Sequence, residues 1–360
     1  MKLLLYPHTF ENQFLLMNRD PFQITGVVVS AKARTNLAFL ERKSIQVHDQ
    51  LIDEKLIPQY DGLFVYPCGI ITETFRQSII CHMEEWIKNG KMVFCAVPLS
   101  ESEKEQIRKL AGTEKAQERF VLVQSDELFK EEQYSTPFSE TDTPVIYIGQ
   151  VCESAYSKDL TVGLSLELKK RGYTISTILD DPCAELMGMM ETPAFIKRAM
   201  DEESKIYYLN NHIRLIEKQY KPDAIVVQVP GVAMRLHQQI KAGFGVYNFY
   251  YSNAFLPDVY FLSCPENFGN AAFVEQFNQI LSSNYGYGID GIWRTNFSVD
   301  PEQLEFGEYG GKLVKTSLNK DIIITHGNEI LVCSGIAESI FMDFADQAEK
   351  ILCEEEIEVM

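Results

Sequence analysis

Residues 144–160 of the chain read PVIYIGQVCESAYSKDL. The apolar run from Val145 to Ile148 is typical of a strand that is buried on both faces. Gly149 ends this run, a polar turn follows, and an amphipathic helical pattern begins at about Leu160. A strand, a glycine-started loop containing a lysine and then a helix is the layout of a phosphate-binding loop, because backbone N–H groups and the helix N-terminus attract anions.

The loop departs from the standard phosphate-binding pattern GxxxxGK[ST]. Eight residues separate Gly149 from Lys158, and no glycine directly precedes that lysine. In a binding role, Lys158 would neutralise a phosphate, and Ser157 would hydrogen-bond a phosphate oxygen or a metal. In the alternative interpretation, Ser157, Lys158 and Asp159 only cap the following helix, and the lysine is solvated. The sequence leaves both interpretations open.

Other strand ends in the second half of the chain supply further polar residues. In open α/β sheets, ligands bind beyond the carboxyl ends of the strands, near the point where the strand order reverses. We therefore expect a nucleotide or another phosphate ligand, with Mg²⁺, at this edge. The predicted ligand-binding residues are Gly149, Ser157, Lys158, Asp159, Gln228 and Gly231, and the predicted metal ligands are Asp180 and Asp181.

Two short segments bear on catalysis. The predicted strand Asp223–Val229 contains Gln228 where a phosphate-binding-loop enzyme would carry an acid. A neutral amide binds a metal weakly and cannot act as a base, so hydrolysis is less expected than binding. The triplet Asn319-Lys320-Asp321 is similar to the guanine-reading NKxD pattern but lacks a spacer residue, and we predict a turn there.

Composition excludes several classes of protein. With 360 residues, 46% of them hydrophobic and 23% charged, the chain is expected to form two folded domains. The net charge of −18 argues against a nucleic-acid or anionic-membrane partner. We find no signal peptide or membrane-spanning run, and we predict a cytoplasmic protein. The eight cysteines include no CxxC pair, so we expect no structural zinc and no iron–sulfur cluster.

Strands and helices alternate along the whole chain, which predicts an α/β fold with two tandem Rossmann-like domains and mostly parallel sheets. We assign residues 1–130 to the first domain and residues 144–360 to a second, P-loop-like domain. The segment 131–143, rich in Glu, Ser, Thr and Pro, is the predicted linker. The second domain is predicted to end in a strand pair around Gly327-Asn328 and a helix over residues 337–352.

Two further segments carry specific predictions. Thr192-Pro193 resembles an N-cap followed by proline at the first helical position, which predicts a long helix ending at Tyr220. The aromatic residues of Phe244–Phe261 are expected to form core and a domain interface, while a peptide-binding groove remains an alternative.

The chain resembles the peptide-maturation-system proteins found beside ribosomally made, modified peptides in clostridia and their relatives. Three segments carry the resemblance: Lys2–Pro7, Val145–Tyr173 and Pro222–Gly231. The family typically has Asn-Lys-Phe at positions 157–159, so only Lys158 carries over. The second half of that family is similar to a degenerate P-loop domain of the dethiobiotin-synthetase type, in which a strand ends in an acid followed by glycines. Here Gln228 departs from the acid, whereas Gly231 fits.

The resemblance implies an accessory role in the maturation of a modified peptide, as in bacteriocin-type natural-product biosynthesis. The implied partners are the precursor peptide and its modifying enzyme. Two alternatives remain open from the sequence. One is a nucleotide-dependent ligase or transferase that acts in a cleft between the domains. The other is a non-enzymatic scaffold that presents the precursor peptide to a modifying enzyme.

Overall fold

The computed structural model describes most of the chain, namely residues 1–17, 23–29, 37–49, 56–67, 73–110, 118–123, 137–152, 156–235, 245–300, 311–325, 328–335 and 337–358. The chain divides into two compact units. The first comprises Met1–Asp126 and Glu185–Gly188, and the second comprises Glu127–Ala184 and Met189–Met360. Among the described residues, no helix is both long and apolar enough to cross a membrane.

The first unit contains a six-stranded parallel sheet. Its strands are β1 (Lys2–His8), β2 (Gln23–Val29), β3 (Gln46–His48), β4 (Gly62–Val65), β5 (Met92–Cys95) and β6 (Phe120–Leu122), and its helices are α1 (Leu37–Arg42), α2 (Glu73–Lys88) and α3 (Glu101–Leu110). The spatial order is β3-β2-β1-β4-β5-β6, and every pair is parallel. The strand order therefore reverses at β1, as in Rossmann-type sheets.

Helix α2 packs against this sheet through one apolar stripe. The stripe consists of four buried side chains at helical spacing: Ile79, Ile80, Met83 and Trp86. They share a core with alternate residues of the central strands, such as Leu63 of β4. A 3₁₀ helix at Phe10–Leu16 follows β1 and was not predicted from the sequence.

The second unit is built around an eight-stranded sheet. Its strands are β7 (Val145–Gln150), β8 (Ile175–Leu179), β9 (Met190–Glu191), β10 (Ala224–Gln228), β11 (Val259–Cys264), β12 (Gly291–Arg294), β15 (Asn319–Thr325) and β16 (Asn328–Ser334), and β13 (Phe297–Val299) and β14 (Gly311–Leu313) form a separate antiparallel pair. The spatial order is β15-β16-β12-β11-β7-β10-β8-β9. Within the eight-stranded sheet, β15 pairs antiparallel with β16, and every other pair is parallel.

Helices cover both faces of this sheet: α4 (Ser157–Lys170), α5 (Glu202–Tyr220), α6 (Val246–Ala254), α7 (Ala271–Tyr285) and α8 (Ser339–Glu358). One face packs on α5, α6 and α7, in a core that includes Tyr147, Leu262 and Ile292. On the other face, Phe261 of β11 meets Phe344 of α8, with ring centroids 4.8 Å apart. The predicted α/β fold with two tandem, mostly parallel sheets is confirmed.

Three local predictions are wrong. Helix α4 begins at Ser157, three residues before the predicted start. The predicted helix after Thr192-Pro193 is only a 3₁₀ turn at Ala194–Lys197, and α5 starts later because the Asp201 side chain accepts a hydrogen bond from the backbone N–H of Ser204. Residues 319–321 lie in β15 rather than in a turn, since they pair with Val332–Ser334 of β16.

The aromatic segment contributes mainly to the core. Tyr250, Tyr251 and Tyr260 are buried, whereas the Phe249 side chain is 44% exposed. Tyr251 packs edge-on against Tyr147, with ring centroids 5.8 Å apart. Phe244 lies outside the described residues. The core interpretation therefore holds for these three tyrosines.

Candidate ligand-binding site

Three polar side chains meet at the carboxyl edge of the second sheet. Gln150 ends β7, Gln228 ends the neighbouring β10, and Ser157 opens α4. The Ser157 hydroxyl donates to Oε1 of Gln150 at 2.8 Å and accepts from Nε2 of Gln228 at 2.9 Å. All three residues are at least nine-tenths buried. The cluster fixes the start of α4 against the ends of two parallel strands.

Backbone groups complete this polar cluster. Oε1 of the Gln228 side chain accepts the backbone N–H of Asp180 at 2.9 Å, and Nε2 of Gln150 donates to the backbone carbonyl of Gly231 at 2.9 Å. The Gln228 amide can donate and accept at the same time, whereas an ionised acid only accepts. Gln228 therefore ties the ends of β8, β10 and α4 together.

Lys158 projects from the first turn of α4 and forms an ion pair with Asp181, with Nζ 2.6 Å from Oδ2. The Asp181 side chain is fully buried, while that of Lys158 is 28% exposed. Burial alone would lower the pKa of Lys158, but the Asp181 carboxylate outweighs this effect and raises the pKa above its usual value. The ammonium therefore stays charged, and part of the lysine side chain faces solvent.

The backbone at the start of α4 is strained. Tyr156 occupies the N-cap position in the left-handed region, with φ 59° and ψ 30°, and its side chain does not cap the helix. A bulky residue rarely adopts this conformation, and such strain clusters at functional turns. The positive end of the α4 dipole lies at this junction, beside Lys158.

The two predicted glycines have different structural roles. Gly149 lies within β7, and a Cβ atom there would stand 2.0 Å from the Tyr260 hydroxyl oxygen. Its lack of a side chain is therefore required by packing. Gly231 has a φ of +65° and directs its carbonyl towards Gln150. Asp159, in the first turn of α4, is 1% exposed. That Gly149, Gly231 and Asp159 contact a ligand stays a prediction.

The predicted metal ligands are engaged in other interactions. Asp180 pairs with Lys197. Asp181 pairs with Lys158 through one oxygen and accepts the backbone N–H of Cys183 through the other, at 2.9 Å. The described residues contain no group of three or more His, Cys, Asp and Glu side chains that could hold a metal. Ligation of Mg²⁺ by Asp180 and Asp181 therefore stays a prediction.

Sequence reasoning overlooked Gln150 and Lys197. Gln150 stands directly after Gly149, and its position at the end of a buried strand, like that of Gln228, was the available signal. Lys197 is the last residue of a 3₁₀ turn that the sequence pattern did not predict, so no signal connected it with Asp180.

Comparisons with known proteins bear on the fold. No family description matches the sequence, and no curated protein matches it. A solved structure of a DUF1611 family protein from Anabaena variabilis ATCC 29413 is similar, with a TM-score of 0.54 and 11% identity over 81% of this chain and 87% of that chain. At this identity the likeness shows a shared fold and says nothing about activity.

A second solved structure, a type C pseudomurein peptide ligase from Methanothermus fervidus, aligns with a TM-score of 0.26 and 12% identity, over 98% of this chain and 67% of that chain. A score this low does not establish a common fold. We draw no functional conclusion from it.

Proposed function

We propose that the second unit binds a phosphate-bearing ligand, with nucleotides as the first class to test, at the carboxyl edge of β7, β10 and β8. The arrangement of Lys158 supports this most directly. Its ammonium is charged and is held by a fully buried carboxylate, and the lysine side chain is partly exposed beside the N-terminus of α4. A phosphate at this edge would meet both the lysine and the helix dipole.

The same geometry favours binding over turnover. Gln228 is committed to hydrogen bonds with Ser157 and Asp180 and carries no charge. Asp180 and Asp181 are each paired with a lysine. Both of these carboxylates are therefore already engaged by a cation in this arrangement. We expect negligible ATP or GTP hydrolysis by the isolated protein.

We place this binding activity in the maturation of a ribosomally made, modified peptide, with the precursor peptide and its modifying enzyme as partners. The segments Lys2–Pro7, Val145–Tyr173 and Pro222–Gly231 support this role through their resemblance to peptide-maturation-system proteins. The bound ligand would act as an allosteric or structural ligand rather than as a consumed substrate.

The test is thermal stabilisation of the full chain by ATP, GTP and inorganic phosphate, because any ligand of the native state raises the apparent stability by mass action. Replacing Lys158 alone would leave the buried Asp181 carboxylate unpaired, at a cost of about 3–5 kcal/mol. The informative variant is therefore Lys158→Met combined with Asp181→Asn. It removes the cation and its partner together, and we expect at least tenfold weaker binding of the stabilising ligand.

Lys218→Ala is the matched control, because Lys218 is an exposed cation in the last turn of α5, at the opposite end of the unit. It should bind the ligand as the unmodified chain does. Equal affinity in the double variant and the unmodified chain would contradict the assignment of Lys158. Steady hydrolysis would favour the ligase or transferase alternative, and peptide binding without any nucleotide effect would favour the scaffold.

A further inference from the structure

Arg294 ends β12 at the carboxyl edge of the second sheet, two strands away from β7. Its Nε atom is buried and has no hydrogen-bond partner. Within the described residues, no carboxylate forms an ion pair with its guanidinium. An arginine whose buried N–H lacks an acceptor is unfavourable, since each unsatisfied buried group destabilises the fold. In a chain with a net charge of −18, an unpaired arginine is also unexpected.

A second unsatisfied donor lies beside Arg294. Ser334 ends β16 and is paired with Arg294 in the parallel register. Its side chain is 8% exposed, and its hydroxyl has no hydrogen-bond partner. Directly paired residues of neighbouring strands project from the same face of a sheet. The two unsatisfied donors therefore face the same side.

The third strand in this row contributes Cys264 of β11, which is paired with Arg294 on its other side. Cys264 is fully buried, and burial raises the pKa of its thiol well above the usual range. The neutral thiol cannot serve as a counter-ion for the guanidinium. The charge of Arg294 is therefore uncompensated by the groups on either side of it.

The backbone of the next loop makes room for the arginine. Gly269 has a φ of +77°, and a Cβ atom there would lie 3.0 Å from Cγ of Arg294 and 3.0 Å from Sγ of Cys264. Helix α7 begins just beyond, with Asn270 as its N-cap. The positive end of a 15-residue helix thus lies close to the arginine side chain. Arginine, hydroxyl and helix N-terminus all favour the same kind of ligand.

We propose that Arg294, Ser334 and the N-terminus of α7 form an oxyanion-binding site, for a phosphate or carboxylate group, beyond the carboxyl ends of β11, β12 and β16. A planar guanidinium binds two oxygens of such a group at once, and the serine hydroxyl supplies a further donor. This site lies on the face covered by α7, whereas Lys158 belongs to α4. The two sites therefore use different helices of the second unit.

The experiment compares the unmodified full chain with Arg294→Met, which keeps the side-chain stem and removes the unsatisfied donors. Melting temperatures are measured against rising phosphate, and separately against acetate, at constant ionic strength. The unmodified chain should be stabilised by at least one of the two anions. Arg294→Met should melt at the same or a higher temperature without either anion, and should bind the stabilising anion at least tenfold more weakly.

Further variants separate this site from the Lys158 site. Lys158→Met combined with Asp181→Asn should leave the contribution of Arg294 unchanged, while Lys218→Ala should change neither site.

Stabilisation by phosphate alone would identify a phosphate site, and stabilisation by both anions would identify a general oxyanion site. Equal anion affinity in Arg294→Met and the unmodified chain, or no stabilisation by either anion, would overturn the proposal. If Arg294→Met does not fold, Ser334→Ala provides the same test, with several-fold weaker binding expected.

Discussion

Gln228 illustrates how one side chain defines the candidate site at the residue scale. Its amide donates to the Ser157 hydroxyl and accepts from the backbone of Asp180. An acid at this position would lose the donor and place a second buried negative charge near Asp181, which is fully buried itself. The amide is thus a structural requirement of this network.

His8 makes the stability of the first unit dependent on pH. It is fully buried at the end of β1, with Nδ1 2.7 Å from Oδ1 of Asn12. Burial lowers the pKa of His8 to about 4, although the hydrogen bond to Asn12 opposes this shift. The unfolded chain binds a proton below a pH of about 6.5, but the folded chain does so only near pH 4. Stability is therefore lost as the pH falls through this window.

We expect His8 to account for a loss of about 3 kcal/mol in the free energy of unfolding between pH 6.5 and pH 4. The measurement is urea unfolding of Trp293→Phe, in which Trp86 of the first unit is the remaining tryptophan. Adding His8→Gln should flatten the pH dependence, because glutamine does not titrate. If stability depends on pH equally with and without His8, other groups control the pH dependence. His82 is one such group, because burial also lowers its pKa.

At the scale of elements, α4 and α8 approach closely at Gly163. A Cβ atom at this position would lie 2.5 Å from Cγ and Cδ1 of Phe341, which is 8% exposed. The Phe341 ring also packs edge-on against Trp293, with centroids 5.9 Å apart. The aromatic ring therefore has little room to move away.

Gly163→Ala tests this close approach. Alanine improves helix propensity by about 1 kcal/mol, whereas overpacking a core costs about 1–3 kcal/mol. We expect the clash to dominate, so the melting temperature of the second unit should fall. Combining Gly163→Ala with Phe341→Leu should recover part of the loss, and the double-mutant cycle measures the coupling. Strictly additive effects of the two substitutions would rule out a direct contact.

Element boundaries show where sequence patterns were sufficient. The apolar run Val145–Ile148 identified β7 because its hydrophobicity is continuous. The start of α4 was missed since Ser157, Lys158 and Asp159 are polar, although Ser157 and Asp159 are buried and the Ser157 hydroxyl bonds to the ends of two strands. Thr192-Pro193 matched the local pattern of a helix start, but Asp201 supplies the cap that α5 uses. Local patterns do not reveal which of two capping sequences the tertiary structure selects.

At the scale of the whole molecule, the alternation of strands and helices predicted two α/β units. It did not predict the order of strands, because the insertion of β10 between β7 and β8 depends on long-range pairing. For the same reason, the sequence placed Ser157, Gln228 and Asp180 at one edge but not in one hydrogen-bonded cluster. The unpaired Arg294 had no sequence signal, since pairing is a property of the folded chain.

Residues 137–143, part of the predicted linker, hydrogen-bond to α5. The Thr141 hydroxyl and the backbone N–H groups of Asp142 and Thr143 donate to one oxygen of Glu217. Asn210 forms two hydrogen bonds with the backbone of Ser139. Burial raises the pKa of Glu217, but the hydrogen bonds from Thr141, Thr143 and Asp142 outweigh this effect and lower the pKa below its usual value. The segment therefore contributes to the structure of the second unit.

A fragment of residues 144–360 should fold cooperatively on its own, because it contains the eight-stranded sheet and its helices. A fragment of residues 137–360 should be more stable by about 1–3 kcal/mol, since it retains the hydrogen bonds to the Glu217 carboxylate. Urea unfolding of the two fragments measures this difference, and Glu217→Ala in the longer fragment, which removes the acceptor, should remove most of it. If the shorter fragment is molten or insoluble while the longer one folds, residues 137–143 are essential to the second unit, and its boundary lies before residue 137.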